Sequence, residues 1–468
     1  MISKDLELKI DAFIAENKEN ILKDIATLIE IPSVSVDGPA EAPFGEGCKK
    51  ALDAALAICE GMGMATKNYD YYAGSASIGD KEKEISIMGH LDVVPEGNGW
   101  TVDPYKMTIK DGYIYGRGVA DDKGPAVLGL YAMKYLKDNN IPLNYTYRLM
   151  LGCSEERGMG DVEIIKQREK IPTFMFTPDA DFPVINGEKG IMSAEARFAH
   201  DGAHIVKFFG GSVSNMVADR CTVALKGISK ENLGELCSCK FDVENCECGC
   251  LKVTAKGVGS HAAAPDGSIN AIGMLCEMLS KVEALSEAER SACAKAAATL
   301  ADHNGVGLGI DCEDEQSGKI THISGVAEME ENEIVLNYNI RYPVSAKGDE
   351  LKARLEAYAA AHGFAGKVLS DSAPSYRSVD TKEVQALLSA YNEVTGKEAK
   401  AKVIGGGTYA RNFPNAVAFG PEFPEMPNPA GEGKGGVHMA DECTSIDYMM
   451  LAVKIYIVAL LKLNELEL

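Results

Sequence analysis

The chain has 468 residues, of which 46% are apolar, and its 47 basic and 69 acidic side chains give a formal net charge of −22 at pH 7. One hydrophobic core seldom serves so long a chain, so two or more domains are expected. The negative charge argues against nucleic acid and anionic membranes as partners, because both carry charge of the same sign.

Two further features bear on the compartment. Residues 1–7 carry charges and lack the apolar run of a signal peptide, so we expect a cytoplasmic protein. The most apolar segment, 448–461, is shorter than the ~20 residues of a membrane span and contains Lys454, so a buried terminal helix is predicted.

The thirteen cysteines are expected to be reduced, because the cytoplasm is a reducing compartment. Five of them lie from Cys237 to Cys250, where either free thiols or a structural zinc on a hairpin fits the pattern.

The predicted elements divide the chain into an interrupted domain and an insert. Up to about residue 190, helical periods alternate with short apolar strands, which is typical of a mostly parallel α/β sheet. From about 191 to 379, alternating strands accompany helices in an α+β pattern. After residue 379, helix-like and strand-like segments of the first kind return. We therefore expect a first domain of residues 1–190 plus 380–468 and an inserted domain of residues 191–379. The segments that carry this prediction are helices at 10–31, 49–61, 125–137, 270–285, 349–362 and 381–395, and strands at 193–198, 333–341 and 416–420.

Acidic and histidine side chains follow three of the predicted strands. His90 with Asp92, the pair Glu155 and Glu156, and Asp179 each come directly after an apolar run. In an open α/β sheet, ligands bind beyond the carboxyl ends of the strands. Imidazole and carboxylate together are ligands for a divalent ion such as zinc or manganese. These residues therefore predict a metal site at one edge of the sheet.

Two glycine-rich loops add to this set. Gly116 to Gly124 contains the neighbouring acids Asp121 and Asp122, and a later loop contains His438. Five candidate ligands and a spare glutamate are then available, which indicates two metal ions sharing one bridging carboxylate.

In this order, the motifs resemble the M20 metallopeptidases, specifically the PepV-type and Sapep-type dipeptidases. The motifs are His-x-Asp, Gly-Arg-Gly-x-x-Asp-Asp-Lys-Gly, Glu-Glu, Pro-Asp-Ala-Asp and the late histidine. The resemblance extends over essentially the whole chain, including the segments 185–190, 210–216 and 405–411. It implies a zinc exopeptidase-like α/β catalytic domain in which the insert acts as a lid that binds substrate.

The resemblance also assigns the metal ligands. Asp121 would bridge two divalent ions, Zn²⁺ first and Mn²⁺ or Co²⁺ as alternatives. His90 and Asp179 would complete one site, and Glu156 and His438 the other. Asp92 would orient the imidazole of His90. The peptide bond between Asp121 and Asp122 is expected to be cis.

The remaining roles concern proton transfer and substrate. Glu155 has no metal to bind and is expected to take a proton from the metal-bridging water and deliver it to the leaving amine. His261 resembles the lid histidine that stabilises the oxyanion. Arg341 and Asn215 match lid residues that hold the substrate's C-terminal carboxylate. Gly406 and Arg411 are further expected substrate contacts.

These expectations predict a dinuclear metal-dependent dipeptidase. An M20 deacylase acting on N-acyl or N-succinyl amino acids is the alternative enzyme. A catalytically inactive binding protein on the same scaffold is disfavoured, because every ligand and Glu155 are present. The long insert implies a monomer, since dimeric relatives with a shorter lid take the oxyanion histidine from the partner subunit.

Overall fold

The computed structural model describes residues 2–234 and 240–468. The chain divides into two compact units. The first comprises Met1–Asn186, Arg377–Lys402 and Gly407–Leu468, and the second comprises Gly187–Tyr376 and Val403–Gly406. The first unit is thus discontinuous in sequence, with the second inserted into it. The short segment Val403–Gly406 groups with the second unit, whereas the sequence pattern had assigned it to the first.

Ten α-helices and twenty-four strands are defined in the described ranges. The helices are α1 Lys4–Ile29, α2 Glu46–Gly61, α3 Lys123–Asp138, α4 Gly160–Arg168, α5 Lys230–Leu233, α6 Ala271–Leu279, α7 Glu287–Thr299, α8 Gly348–Ala361, α9 Lys382–Thr395 and α10 Ile446–Asn464. The strands are β1 Ala65–Asn68, β2 Ala73–Ile78, β3 Glu84–His90, β4 Thr108–Lys110, β5 Tyr113–Tyr115, β6 Thr146–Gly152, β7 Phe174–Thr177, β8 Ala180–Asp181, β9 Ile185–Glu188, β10 Gly190–Ala199, β11 Ile205–Gly210, β12 Arg220–Lys226, β13 Phe241–Asn245, β14 Cys250–Lys256, β15 Glu313–Asp314, β16 Gly318–Lys319, β17 Thr321–Glu330, β18 Glu333–Tyr342, β19 Ala365–Ser372, β20 Ser375–Tyr376, β21 Lys402–Ile404, β22 Ala416–Ala418, β23 Pro421–Glu422 and β24 Cys443–Ser445.

The main sheet of the first unit is mixed, with a parallel centre. Its strand order begins β1, β2, β6, β3, β7, β22. The pairs β6–β3, β3–β7 and β7–β22 are parallel, whereas β1–β2 and β2–β6 are antiparallel. Strands β3 and β7 are buried along almost their whole length, as expected for parallel strands covered on both faces. The carboxyl ends of β6, β3 and β7 therefore lie side by side.

Helices complete the core of the first unit. α3 packs on β3 and β6, and α10 packs on α3 and α9. α10 is buried along most of its length, including Ile455, Tyr456 and Ile457, each 0% exposed. The prediction of a buried terminal helix is confirmed. No helix in residues 2–234 and 240–468 has the length and apolar content needed to cross a membrane.

The second unit is built on one antiparallel sheet of eight strands. Its order is β13, β14, β12, β11, β17, β18, β10, β19. Burial alternates residue by residue along β10, so one face of the sheet is covered. Helices α6, α7 and α8 contact strands of this sheet. The expected α/β fold with an inserted α+β unit is confirmed, although helix α7 was not predicted.

Candidate active site

Three parallel strands bring their terminal side chains together. His90 is the last residue of β3 and pairs with Gly152, the last residue of β6. Two residues separate Glu155 and Glu156 from the end of β6, and one residue separates Asp179 from the end of β7, the other neighbour of β3. The Nε2 atom of His90 lies 3.8 Å from Oδ2 of Asp179. The strand-end positions seen in the sequence thus converge on one edge of the sheet.

Asp121 lies at the centre of this group, just before the start of α3. Its Oδ1 is 2.9 Å from Nε2 of His90, and its Oδ2 is 3.0 Å from Nε2 of His438. The same nitrogen of His438 is 3.1 Å from Oε1 of Glu156. One carboxylate therefore connects two histidines, each with a further acid beside it. The peptide bond between Asp121 and Asp122 is cis, as the resemblance implied.

The local contacts of His90 fit a metal ligand. Its Nδ1 is 2.9 Å from the main-chain carbonyl of Asp92, which places the ring proton on that nitrogen. The lone pair of the fully buried Nε2 then faces Asp121, and neither Nε2 nor Asp121 Oδ1 has a hydrogen-bond partner among the described residues. Two buried acceptors at this distance repel each other unless a cation joins them. The residues present fit divalent ions.

The charges of the group support the same fit. Hydrogen bonds to Asp121 and Glu156 raise the pKa of His438 to about 10. Burial and then the charge of Asp121 raise the pKa of Asp179 well above its usual range. Burial acts to lower the pKa of His90, but the neighbouring carboxylates of Asp121 and Asp92 outweigh that effect and hold the pKa well above its usual value. The nearby carboxylates contribute to each of these shifts, and a cation placed among them would offset their mutual repulsion.

Asp92 lies beside His90 and also contacts the two glutamates. Its carboxylate is 3.5 Å from Nδ1 of His90, whereas its main-chain carbonyl takes the hydrogen bond. The two carboxylate oxygens accept the main-chain N–H groups of Glu155 at 3.0 Å and Glu156 at 3.1 Å. This buried acid therefore orients the imidazole through its backbone and fixes the two glutamates through its side chain.

Glu155 and Glu156 differ in their surroundings. Glu156 contacts His438, whereas an oxygen of Glu155 lies within 4.8 Å of ligand atoms of His90 and Asp179. Burial, and then the nearby charge of Glu156, raise the pKa of Glu155 to about 8 although His90 opposes the shift. A carboxyl with such a pKa exchanges a proton near neutral pH.

Glu442 was not among the predicted site residues, yet it joins two ligand-bearing loops. It is fully buried, four residues after His438, and its Oε2 accepts a hydrogen bond from Arg117 at 2.6 Å. Its Oε1 accepts the main-chain N–H groups of Gly118, Ala120 and Asp121 at 2.9 to 3.2 Å. The loop of His438 and the loop of Asp121 are therefore held by one carboxylate. The only sequence signal was its place beside Asp441 in the glycine-rich loop.

A second unpredicted acid supports the turn after β6. Asp161 accepts the main-chain N–H groups of Cys153 at 2.7 Å and Ser154 at 3.0 Å, and the hydroxyl of Tyr409 donates to the same oxygen. A Cβ atom on Gly152 would overlap that hydroxyl, so glycine is required there. Sequence spacing gave no sign of this contact, because Tyr409 is remote in the chain.

The expected substrate residues lie in both units. In the second unit, Nε2 of His261 is 3.5 Å from Nδ2 of Asn215, and Met216 and His261 form an antiparallel bridge. Arg341 is 6% exposed and donates to Asn339 Oδ1 at 2.8 Å and to the Gly405 carbonyl at 3.0 Å, next to Gly406. Arg411 belongs to the first unit, in a short 3₁₀ helix, and its guanidinium packs against Gly407.

Known proteins resemble this chain in sequence and in fold. The model of "Peptidase family M20/M25/M40" matches residues 86–462. YtjP of Bacillus subtilis (strain 168), provisionally named a dipeptidase, is 36% identical over 97% of this chain and 99% of its own. A Beta-Ala-Xaa dipeptidase from Lactobacillus delbrueckii subsp. lactis is 31% identical, covering 99% of this chain and 100% of the relative. Human carnosine dipeptidase 1 has a similar fold, with a TM-score of 0.59 at 14% identity over 98% of each chain.

Proposed function

Because the chain belongs to peptidase family M20/M25/M40 and is therefore a hydrolase of peptide bonds, we propose that it is a dinuclear metal-dependent dipeptidase. One observation carries the proposal. The two oxygens of Asp121 lie 2.9 and 3.0 Å from the Nε2 atoms of His90 and His438, respectively. A single carboxylate placed between two imidazoles is the arrangement that a bridging ligand needs.

We assign the remaining ligands from the neighbours of each histidine. Asp179 would complete the site of His90, and Glu156 that of His438. Two imidazoles with carboxylates suit Zn²⁺ first, and Mn²⁺ and Co²⁺ are compatible with the same donors. Bound divalent ions supply polarisation of the scissile carbonyl and a lowered pKa of water.

Glu155 is the proposed proton carrier. Its carboxylate would accept the proton of the attacking water and return it to the nitrogen of the leaving amine. Burial, the main cause of its raised pKa, gives this carboxylate a higher proton affinity than an ordinary glutamate, which favours its action as a base. The N–H groups that Asp92 holds would keep Glu155 and its neighbour Glu156 in different orientations.

The second unit would supply the groups that recognise substrate. We assign oxyanion stabilisation to His261 and binding of a free C-terminal carboxylate to Arg341 and Asn215. A guanidinium is suited to this task because it presents a planar fork of donors. Gly406 and Arg411 are proposed as additional contacts. The names of the two bacterial relatives support dipeptides as the substrate class.

A substrate panel tests the proposal. Dipeptides, their C-terminal amides, and N-acyl and N-succinyl amino acids are assayed with added Zn²⁺ or Mn²⁺ and again after chelation. We expect hydrolysis of dipeptides, weak hydrolysis of the amides, and loss of both with the chelator. Preference for the acylated amino acids would identify a deacylase instead. Metal-loaded protein that binds dipeptides without hydrolysing any compound would be a binding protein.

A further inference from the structure

The cysteine-rich segment of the second unit gives no geometric basis for a zinc site. Cys237 and Cys239 lie outside the described residues. Within the described ranges, Cys246, Cys248 and Cys250 are free thiols, and their sulfurs do not form a group of three within 4.8 Å of one another.

A cleft of about 590 Å³ lies beside Glu156 in the first unit. Ligand sites in proteins usually have a volume of about 300–1,000 Å³ and mostly apolar walls. The walls here are of that kind, because five of the nine lining residues are valine or proline, namely Val34, Val36, Val93, Val94 and Pro95. Glu156, a proposed metal ligand, is another lining residue. The cleft therefore adjoins the candidate metal site.

Two chain segments supply these walls, and main-chain contacts fix one against the other. Val34 and Val93 form a parallel bridge, and the N–H of Val93 donates to the carbonyl of Ser33 at 3.1 Å. The hydroxyl of Ser33 donates in turn to the carbonyl of Leu91. The second segment continues directly from the end of β3, where His90 lies. The walls are therefore held in place relative to a proposed metal ligand.

Part of the apolar wall is open to solvent. Val93 is 1% exposed, whereas Val36 is 49% exposed and Pro95 is also exposed. Contact with an apolar group of a ligand would remove this surface from water, which is favourable. The cleft is thus suited to an apolar group rather than to a polar one.

Two charged side chains of the lining neutralise each other. Nη1 and Nη2 of Arg157 lie 3.2 and 3.5 Å from the two carboxylate oxygens of Asp37. The remaining charged residue of the lining, Glu156, contacts Nε2 of His438 and is assigned to a metal ion. Among the nine lining residues, no charge is then left to attract a charged side chain of either sign.

We propose that this cleft binds the side chain of a substrate's N-terminal residue and favours a large uncharged one, such as that of leucine, methionine or phenylalanine. The inference rests on the proposed dipeptidase function. In that function, the C-terminal carboxylate is assigned to Arg341 and Asn215 of the second unit, which leaves the N-terminal residue to the first. The scissile carbonyl and the N-terminal side chain are attached to the same Cα atom. A cleft that adjoins the metal ligands is therefore within reach of that side chain.

A variant that fills the cleft tests the proposal. Val36→Trp adds an indole at an exposed position of the wall, so the fold should tolerate it. We expect kcat/KM for Leu-Gly to fall by about 10-fold or more, with a change below about twofold for Gly-Leu, whose N-terminal residue has no side chain. Ile171→Trp is the matched control, because Ile171 is 50% exposed and precedes β7, at the end of that strand away from the site. It should leave both values unchanged.

The ion pair of the lining allows a second test, run at low ionic strength because salt screens exposed charges. Asp37→Asn leaves the guanidinium of Arg157 unpaired, so hydrolysis of Glu-Gly should rise relative to that of Leu-Gly. Arg157→Gln leaves the carboxylate of Asp37 unpaired and should favour Lys-Gly instead. Unchanged preferences in both variants would overturn the assignment of these two residues to the cleft.

Binding and fold are measured alongside activity. In a Glu155→Gln background, which should bind dipeptides without turnover, Val36→Trp should weaken calorimetric binding of Leu-Gly and leave that of Gly-Leu unchanged. Val94→Phe narrows the cleft from the second segment and should give the same pattern if circular dichroism shows that Val36→Trp does not fold. Equal losses for Leu-Gly and Gly-Leu in folded variants would overturn the cleft assignment and leave the dipeptidase function standing. A parent protein that hydrolyses no dipeptide would overturn both.

Discussion

At the residue scale, the two neighbouring glutamates should have different effects when altered. Glu155→Gln keeps shape and hydrogen bonding but removes the proton acceptor. The rate of dipeptide hydrolysis should fall by about 10²-fold to 10⁴-fold while both ions stay bound. Glu156→Gln, which removes an anion beside His438, should weaken one ion and recover part of its activity at high metal concentration. Activity assays paired with metal analysis measure both effects.

The reverse pattern would exchange the two roles. Loss of metal from the Glu155 variant with full metal in the Glu156 variant would make Glu155 a ligand. Ligand atoms of Glu155, His90 and Asp179 lie within 4.8 Å of one another, which is close enough for Glu155 to bind the same ion as the other two. Unchanged hydrolysis in both variants would remove the pair from the mechanism.

At the scale of elements, Glu442 connects the two loops that carry Asp121 and His438. Loss of one partner from a buried ion pair costs about 3–5 kcal/mol when it leaves a charge uncompensated. Glu442→Gln retains a hydrogen-bonding group, so we expect a smaller loss of stability together with weaker metal binding. Thermal unfolding and metal titration measure these effects. Glu432→Gln, at an exposed position of the same loop, is the control and should behave as the parent. Equal metal affinity in all three proteins would contradict the role of Glu442.

A carboxylate at the contact between α9 and α10 leads us to predict how the stability of the protein changes with pH. Glu393 accepts hydrogen bonds from Lys462 and Ser389, both at 2.9 Å. Burial alone would raise the pKa of Glu393, but these bonds outweigh it and lower the pKa from 4.5 to about 2. A lowered carboxyl pKa stabilises the fold above the unfolded value, and that stabilisation is lost as pH falls.

Glu393→Gln should therefore destabilise the protein by about 1–3 kcal/mol at pH 7. The difference from the parent should shrink as the pH falls from about 4.5 towards 2. Chemical denaturation at several pH values measures it. Glu398→Gln, at an exposed site just after α9, should show no such dependence. A constant difference for Glu393→Gln down to pH 2 would show that its charge is not the cause.

At the scale of the whole molecule, we predict a catalytically complete monomer. The second unit includes the long segment Gly187–Tyr376. The family resemblance implies that an insert of this length supplies the oxyanion histidine from the same chain. Mixing His261→Ala with Glu155→Gln protein should then recover no activity, since each chain lacks one required group. Recovered activity would mean that His261 acts across two chains. Light scattering of the parent protein gives an independent measure of its mass.

Those site residues that follow a predicted strand were the ones that the sequence alone could place together. His90, Glu155, Glu156 and Asp179 could be placed together because carboxyl ends of parallel strands share an edge. Asp121 and His438 were candidates because they lie in glycine-rich loops, but their individual roles required the family motifs, since loops follow no such rule. Glu442 and the Asp161 to Tyr409 contact were missed because they join residues far apart in sequence. Helix α7 was missed because its alanine-rich face lacks strong apolar periodicity, although Ser286 and Glu289 form a capping box at its start.

The most direct test of the dinuclear peptidase is a metal titration that follows bound ions and hydrolysis together. Protein freed of metal by chelation is titrated with Zn²⁺ or Mn²⁺, and dipeptide hydrolysis is measured at each step. Asp121 between His90 and His438 predicts no activity without metal and full activity only when two ions are bound per chain. Full hydrolysis by metal-free protein, or full hydrolysis with a single ion bound, would contradict it.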